Sequence, residues 1–178
     1  MQRVWLWAGE IINMKRIIRF LIFFTLFGSR AFAGTILYGF SPNGSAQNLI
    51  LHSIDDAKKS IDIAAYSFTS KPISLALLAA KKRGVQIRIV ADYKANAKYT
   101  AVSFIKNAGV IVRLNSNYEI MHNKFMVIDG VDVQTGSFNY TSSASVRNAE
   151  NVIVIKNNEK LAGAYEQEFM RLFNESEN

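Results

Sequence analysis

An α/β sandwich, with a mixed, largely parallel sheet flanked by helices, is the fold class that this sequence predicts. Three observations predict it. Short runs of β-branched and apolar residues alternate along the chain with longer segments of helical period, as in a sheet covered by helices. Several of the short runs, such as Ile61 to Phe68, carry few charges, which suits strands buried on both faces. Pro72 and Gly84 bracket one helical segment in the order that helix ends favour.

The elements follow in order. Thr35 to Phe40 reads as the opening strand, ended by Ser41-Pro42-Asn43-Gly44. Ser45 is suited to cap a helix that runs to about Lys59, with Leu49, Ile50 and Ile54 on one face. After the strand from Ile61 to Phe68, the helix between Pro72 and Gly84 presents Ile73, Leu75, Leu77 and Leu78 as its apolar surface. Val85 to Val90 is the next strand. A helix from about Lys98 to Asn107 is closed by Gly109, and Val110 to Leu114 is again a strand. Asn151 to Ile155 is the last strand and Glu159 to Phe173 an amphipathic final helix. No internal repeat or low-complexity linker interrupts this order. Residues 34–178 are expected to form one domain, and 145 residues can bury about two-thirds of their unfolded surface.

The stretch between the Val110–Leu114 and Asn151–Ile155 strands carries the chemistry. It reads HNKFMVIDGVDVQTGSFN from His122 to Asn139. In an extended strand, side chains at i and i+2 share a face, so His122 and Lys124 project together. Phe125-Met126-Val127-Ile128 is an apolar strand, Asp129-Gly130 a two-residue hairpin signal, and Val131 to Thr135 alternates as a returning strand. The return brings Ser137 and Asn139 back toward His122 and Lys124. Gly136 fits a place where a ligand approaches the backbone. A nucleophile or proton carrier beside a fixed positive charge suits attack on a phosphodiester.

With its spacing, the set His122, Lys124, Asp129, Gly136, Ser137 and Asn139 resembles the H-x-K-x4-D-x6-G-S-x-N signature of the phospholipase D superfamily. The likeness extends back to Tyr38-Gly39-Phe40-Ser41-Pro42 and Ala65-Tyr66-Ser67-Phe68-Thr69, and forward to about Phe173. It is most similar to the small, single-motif bacterial endonuclease of that superfamily. The resemblance implies the phospholipase D-like version of the α/β sandwich. It implies His122 as a nucleophile that forms a covalent phosphohistidine, and Lys124 and Asn139 as holders of the phosphate. It implies Glu150 as the acid that orients the histidine. Ser137, Asp129 and Gly136 support these four. The superfamily uses two motifs, one histidine attacking and the other protonating the leaving oxygen. A chain with one motif is therefore expected to act as a homodimer, with two His122 side chains meeting at a two-fold axis.

The sequence has no cysteine and only two histidines, His52 and His122. No disulfide can form, no cysteine-based zinc site is available, and a multi-histidine metal site is not expected. No metal and no cofactor are expected. His52 has no motif around it and reads as structural.

The N-terminus reads as a signal peptide over residues 1–33. Met14-Lys15-Arg16 and Arg19 form a basic region, Phe20 to Phe27 a short apolar core, and Ala31-Phe32-Ala33 a small-x-small cleavage site. Met14 is the better start, with residues 1–13 as an upstream artefact. A periplasmic or secreted product is expected, or a membrane-anchored one if the leader is not cleaved. Removing the leader lowers the net charge from +7 to +3, with 16 basic and 13 acidic residues. The distribution is more informative than that total. Eleven basic residues and two acids lie between Lys58 and Arg113, and five acids and two bases from Glu159 onward. Such a polarised surface suits an anionic partner.

Three functions compete on these grounds. A metal-independent endonuclease, acting on DNA and RNA without base readout, leads. A phospholipase D acting on phosphatidylcholine or cardiolipin uses the same motif, so the motif cannot choose between them. A non-catalytic nucleic-acid-binding module, as in DNA uptake, leaves the intact His122, Lys124, Asn139 and Glu150 set without a purpose.

Overall fold

Seven strands form one sheet in the computed structural model, which describes residues 34–97 and 101–176. The leader and the expected helix start at Lys98 lie outside the described residues. The strands are β1 (Ile36–Ser41), β2 (Ser60–Ala65), β3 (Gln86–Asp92), β4 (Ile111–Asn115), β5 (Lys124–Ile128), β6 (Asp132–Gly136) and β7 (Glu150–Ile155). The helices are α1 (Ser45–Asp56), α2 (Lys71–Lys82), α3 (Tyr93–Asn96), α4 (Ala101–Asn107), α5 (Ser142–Val146) and α6 (Glu159–Asn174).

The strand order is β1-β7-β6-β5-β2-β3-β4. The sheet is mixed, as expected. Five strands share one direction, but only β2–β3 and β3–β4 are parallel neighbours, and the other four pairs are antiparallel. "Largely parallel" therefore fails for neighbouring pairs. The physical reason is that β5 and β6 are joined by a tight turn, which imposes antiparallel pairing, whereas the early strands are separated by helical crossovers.

Alternation along the strands divides the core in two. Ile61, Ile63, Ala65, Ile87, Ile89, Met126 and Ile128 face Ile50, Ile54, Ile73, Leu77 and Ile105 of α1, α2 and α4. Ala64, Val90, Phe125, Val127 and Val133 face Phe169, Leu172 and Phe173 of α6. Each fully buried Val, Leu, Ile, Met or Phe among them contributes about 1.5–3 kcal/mol of transfer free energy. One ion cluster fastens α6. Arg88 donates to both oxygens of the buried Asp62, at 2.6 and 2.8 Å, and to Glu166 of α6 at 2.8 Å. Its guanidinium also lies 5.1 Å from the centre of the Phe169 ring.

Three local expectations change. Gly44, at φ 85°, occupies the N-cap of α1, so Ser45 is already the first helical residue. Its hydroxyl instead accepts from the Phe40 N–H at 2.8 Å and ties the helix to the end of β1. Leu75 on α2 is half exposed, while Ile73 and Leu77 are fully buried, because Leu75 points off the stripe. The Asp129-Gly130 turn closes through a bond from Val131 N–H to the Ile128 carbonyl, yet Ile128 pairs with Asp132. Val131 is thus an extra residue between the turn and the ladder.

The edge strand β1 leaves Ile36, Tyr38 and Phe40 exposed on one face. Among the described residues, no helix is long and apolar enough to cross a membrane.

Candidate active site

His122 lies in the three residues that lead into β5, not in the strand itself. Main-chain bonds on both sides hold it there. Met121 N–H donates to the Asp92 carboxylate at 2.8 Å, and the Asn123 carbonyl accepts from Tyr66 N–H at 2.9 Å. The imidazole is exposed and packs edge-on against the Tyr66 ring, 4.6 Å between centres.

Lys124 opens β5 and is nearly buried, at 9% exposure. Its ammonium donates to the His122 carbonyl at 2.7 Å and lies 5.4 Å from the centre of the Tyr66 ring. Lys124 thus bonds to the main chain of His122, and the Tyr66 ring lies against both side chains. Burial pushes the Lys124 ammonium below its ordinary range, and the nearby Glu150 charge opposes that shift.

The loop after β6 supplies the other polar groups. Phe138 and Tyr140 are fully buried and flank Asn139. The two aromatic residues anchor the loop, and Tyr140 O–H donates to the buried Gln134 at 2.8 Å. Ser137 stays exposed and Asn139 half-buried, with Oδ1 of Asn139 buried and unpartnered among the described residues. An unsatisfied buried amide oxygen costs about 1–3 kcal/mol, so it needs a reason to exist. Ser137 O–H donates to Glu150 Oε2 at 2.6 Å, and Asn148 donates to Glu150 Oε1 at 2.9 Å. Both Glu150 oxygens thus have partners, and neither partner is the imidazole expected from the sequence.

Two residues of the set do other work. Asp129 sits at the far end of the hairpin from Lys124. Its carboxylate accepts main-chain N–H bonds from Lys58, Lys59 and Ser60, at 2.6 to 3.1 Å. Burial opposes its charged form, but the bonds from Ser60, Lys59 and Lys58 hold the carboxyl below its ordinary range. Asp129 therefore joins the hairpin to the start of β2 and does not enter the site. Gly136, at φ 150°, admits the backbone of β7 rather than a ligand. A Cβ there would lie 2.2 Å from the Asn151 carbonyl oxygen.

Asp92 and Asn96 were not legible as functional residues. Both are 2% exposed. Asn96 accepts from Phe68 N–H at 3.1 Å and donates to the Tyr66 carbonyl at 2.6 Å and the Asp92 carbonyl at 2.9 Å. Asp92 binds Met121 and also caps α3 through Ala95 N–H. This pair fixes the two backbone segments that carry Tyr66 and His122. The D-x-x-x-N spacing from Asp92 to Asn96 on a short helical turn is the only signal the sequence gives. His52 is exposed on α1 and takes part in none of the contacts described above.

Residues 50–173 match the family model described as cardiolipin synthase, PLD-like domain. The chain belongs to the phospholipase D superfamily. The fold aligns with Nuc from Salmonella typhimurium, a phospholipase D family member, at a TM-score of 0.78 and 42% identity. That alignment covers 80% of this chain and 96% of Nuc. NucT from Helicobacter pylori shares the fold at a TM-score of 0.73 and 22% identity. A phospholipase D of Rickettsia conorii is 38% identical over 132 residues, 74% of this chain and 66% of its own length. A mitochondrial cardiolipin hydrolase of Xenopus tropicalis is 35% identical over 133 residues, 74% of this chain and 62% of its own. The chain thus spans just under two-thirds of the length of these curated relatives.

Proposed function

We propose that this protein is an endonuclease that hydrolyses nucleic-acid phosphodiesters through a covalent phosphohistidine on His122, without a metal. The observation that carries the reading is the pairing of an exposed imidazole with a nearly buried ammonium on one rigid corner. Imidazole nitrogen attacks phosphorus and the phosphorus–oxygen ester bond breaks, giving phosphohistidine. Lys124 stabilises the charge on the non-bridging oxygens, with the Asn139 amide as a further donor. Glu150 holds Ser137 and favours the charged form of Lys124.

The leaving oxygen needs a proton, and water must then be deprotonated to cleave the phosphohistidine. A second copy of His122 supplies both steps across a two-fold axis, for which its exposed position leaves room. A leader removed after Ala33 would place the dimer in the periplasm or outside the cell.

Nucleic acid is favoured over lipid because the chain matches Nuc over 96% of that protein, and the phospholipase D of Rickettsia conorii over 66%. One feature favours the phospholipid reading, namely the exposed Ile36, Tyr38 and Phe40 on the edge strand. The deciding experiment is plasmid cleavage in excess EDTA by the wild type and His122→Ala, beside hydrolysis of phosphatidylcholine and cardiolipin vesicles. Cleavage of plasmid by the wild type alone supports the nuclease. Vesicle hydrolysis without plasmid cleavage replaces it with the phospholipase. Equal DNA binding and equal biological effect in both proteins would leave only a binding module. A fully active monomer in sedimentation would reject the shared site.

A further inference from the structure

A groove of about 270 Å³ on the α2–α4 side of the sheet is lined by Thr69, Lys71, Ser74, Ala101 and Phe104. Main-chain bonds join this groove to the loop that carries Asn139. Thr69 and Ser70 N–H both donate to the Tyr140 carbonyl at 2.9 Å, so its rim is bonded to the residue that follows Asn139.

Two side chains of its lining, Phe104 and Lys71, are not used by the fold. Phe104 is 53% exposed, while Val102 and Ile105 of the same helix are buried. Its ring is therefore free to meet a ligand. Lys71 is exposed and has no ion-pair partner among the described residues. Ser74 is already committed, donating to the Ser70 carbonyl at 2.7 Å. What faces the groove is one aromatic ring, one ammonium and the exposed Thr69 at the rim. An acyl chain would leave Lys71 desolvated and unpaired, and a free phosphate would leave Phe104 without a use. A nucleotide uses both, stacking its base on the ring and resting its phosphate on the ammonium.

We propose that this groove binds the nucleotide that flanks the scissile phosphate, with the base on Phe104 and its phosphate on Lys71. The proposal rests on the nuclease reading and adds a strand preference to it. A base in a duplex is already stacked on both faces, so only an unpaired base can occupy Phe104. Single strands are therefore cut in preference to duplex.

The test compares the wild-type protein with Phe104→Ala, Phe104→Tyr and Lys71→Ala. Substrates are a single-stranded oligonucleotide, its duplex, and bis(p-nitrophenyl) phosphate, which is too small to fill the groove. The wild type should prefer the single strand. Phe104→Ala and Lys71→Ala should each raise its KM on the order of tenfold, leaving kcat and turnover of the small diester unchanged. Phe104→Tyr should behave as the wild type. An unchanged KM in both alanine variants would overturn the groove assignment while the nuclease stands. Equal losses on the small diester would also overturn it, by showing general damage to the site. A wild type that hydrolyses the small diester but neither nucleic acid would overturn the nuclease reading, and the groove assignment with it.

Discussion

The ammonium of Lys124 donates to the carbonyl oxygen of His122, two residues back in the chain, at 2.7 Å. One cation thus holds the main chain of the candidate nucleophile while retaining two further hydrogens for a phosphate. Replacing it should cost more than charge. Lys124→Ala is expected to lower kcat on the order of 10²- to 10³-fold. Melting should be little changed, because burial already disfavours the charged form of Lys124 in the folded state.

The same residue sets an alkaline limit. Its protonated form is the one that stabilises the phosphate, and burial brings its pKa below the ordinary 10.5. Activity should therefore be full below that lowered value and fall as pH rises through it. In Lys124→Arg the guanidinium stays charged, so the fall should move to higher pH. A profile of kcat/KM against pH for both proteins checks this, and coincident alkaline limbs would count against it.

Asn96 touches no reacting group, yet it should matter to rate. Asn96→Ala removes three bonds, including those to Tyr66 and Phe68. It leaves buried main-chain groups unpaired, at about 1–3 kcal/mol of stability. If it positions Tyr66 and His122, kcat should drop on the order of 10- to 100-fold at a temperature where the variant is fully folded. KM for the small diester should hold. A variant that is merely less stable, with normal kcat, would refute the positioning role.

Asp129 offers the opposite pattern. The five residues of β5 separate it from the site, about 16 Å at ~3.3 Å per residue. Asp129→Asn keeps a residue tolerant of its φ of 56° but loses the charged acceptor of Lys58, Lys59 and Ser60. Stability at neutral pH should fall by about 1–3 kcal/mol, with kcat unchanged. The folded pKa lies below the ordinary 3.8, so the wild-type advantage should be complete above that value. It should vanish as pH drops through the lowered folded pKa. Urea unfolding of both proteins from neutral to acidic pH measures the gap.

Gly136→Ala should be more severe than either. It places Cβ against the Asn151 carbonyl in a backbone region that costs other residues about 1–3 kcal/mol before any clash. Loss of soluble protein, or a large drop in melting temperature, is the expected result.

Much of this was legible in the sequence because the periods are clean. The strands and the bracketed α2 follow from alternation and from Pro72 and Gly84. The motif led to the hairpin that holds Lys124 and delivers Ser137 and Asn139. What was not legible depends on long-range partners. Asp129 and Gly136 read as site residues by spacing alone, but their neighbours are Lys58 to Ser60 and Asn151. No local pattern reveals such contacts. Asp92 and Asn96 resemble an ordinary cap and a polar turn until Met121 and Tyr66 are seen against them. Ser45 had the chemistry of a cap, and Gly44 took the position because a left-handed turn was needed first.

The placement of β1 against β7 has a consequence for how the chain comes to be folded. A chain emerging from its N-terminus presents β1 long before Glu150–Ile155 exists to pair with it. The helix that closes the second half of the core comes later still. Until about residue 155 has been released the first strand lacks its partner, and until about residue 174 one face of the sheet lacks its cover. Such a chain stays threadable for most of its synthesis, and completes its fold late and at once.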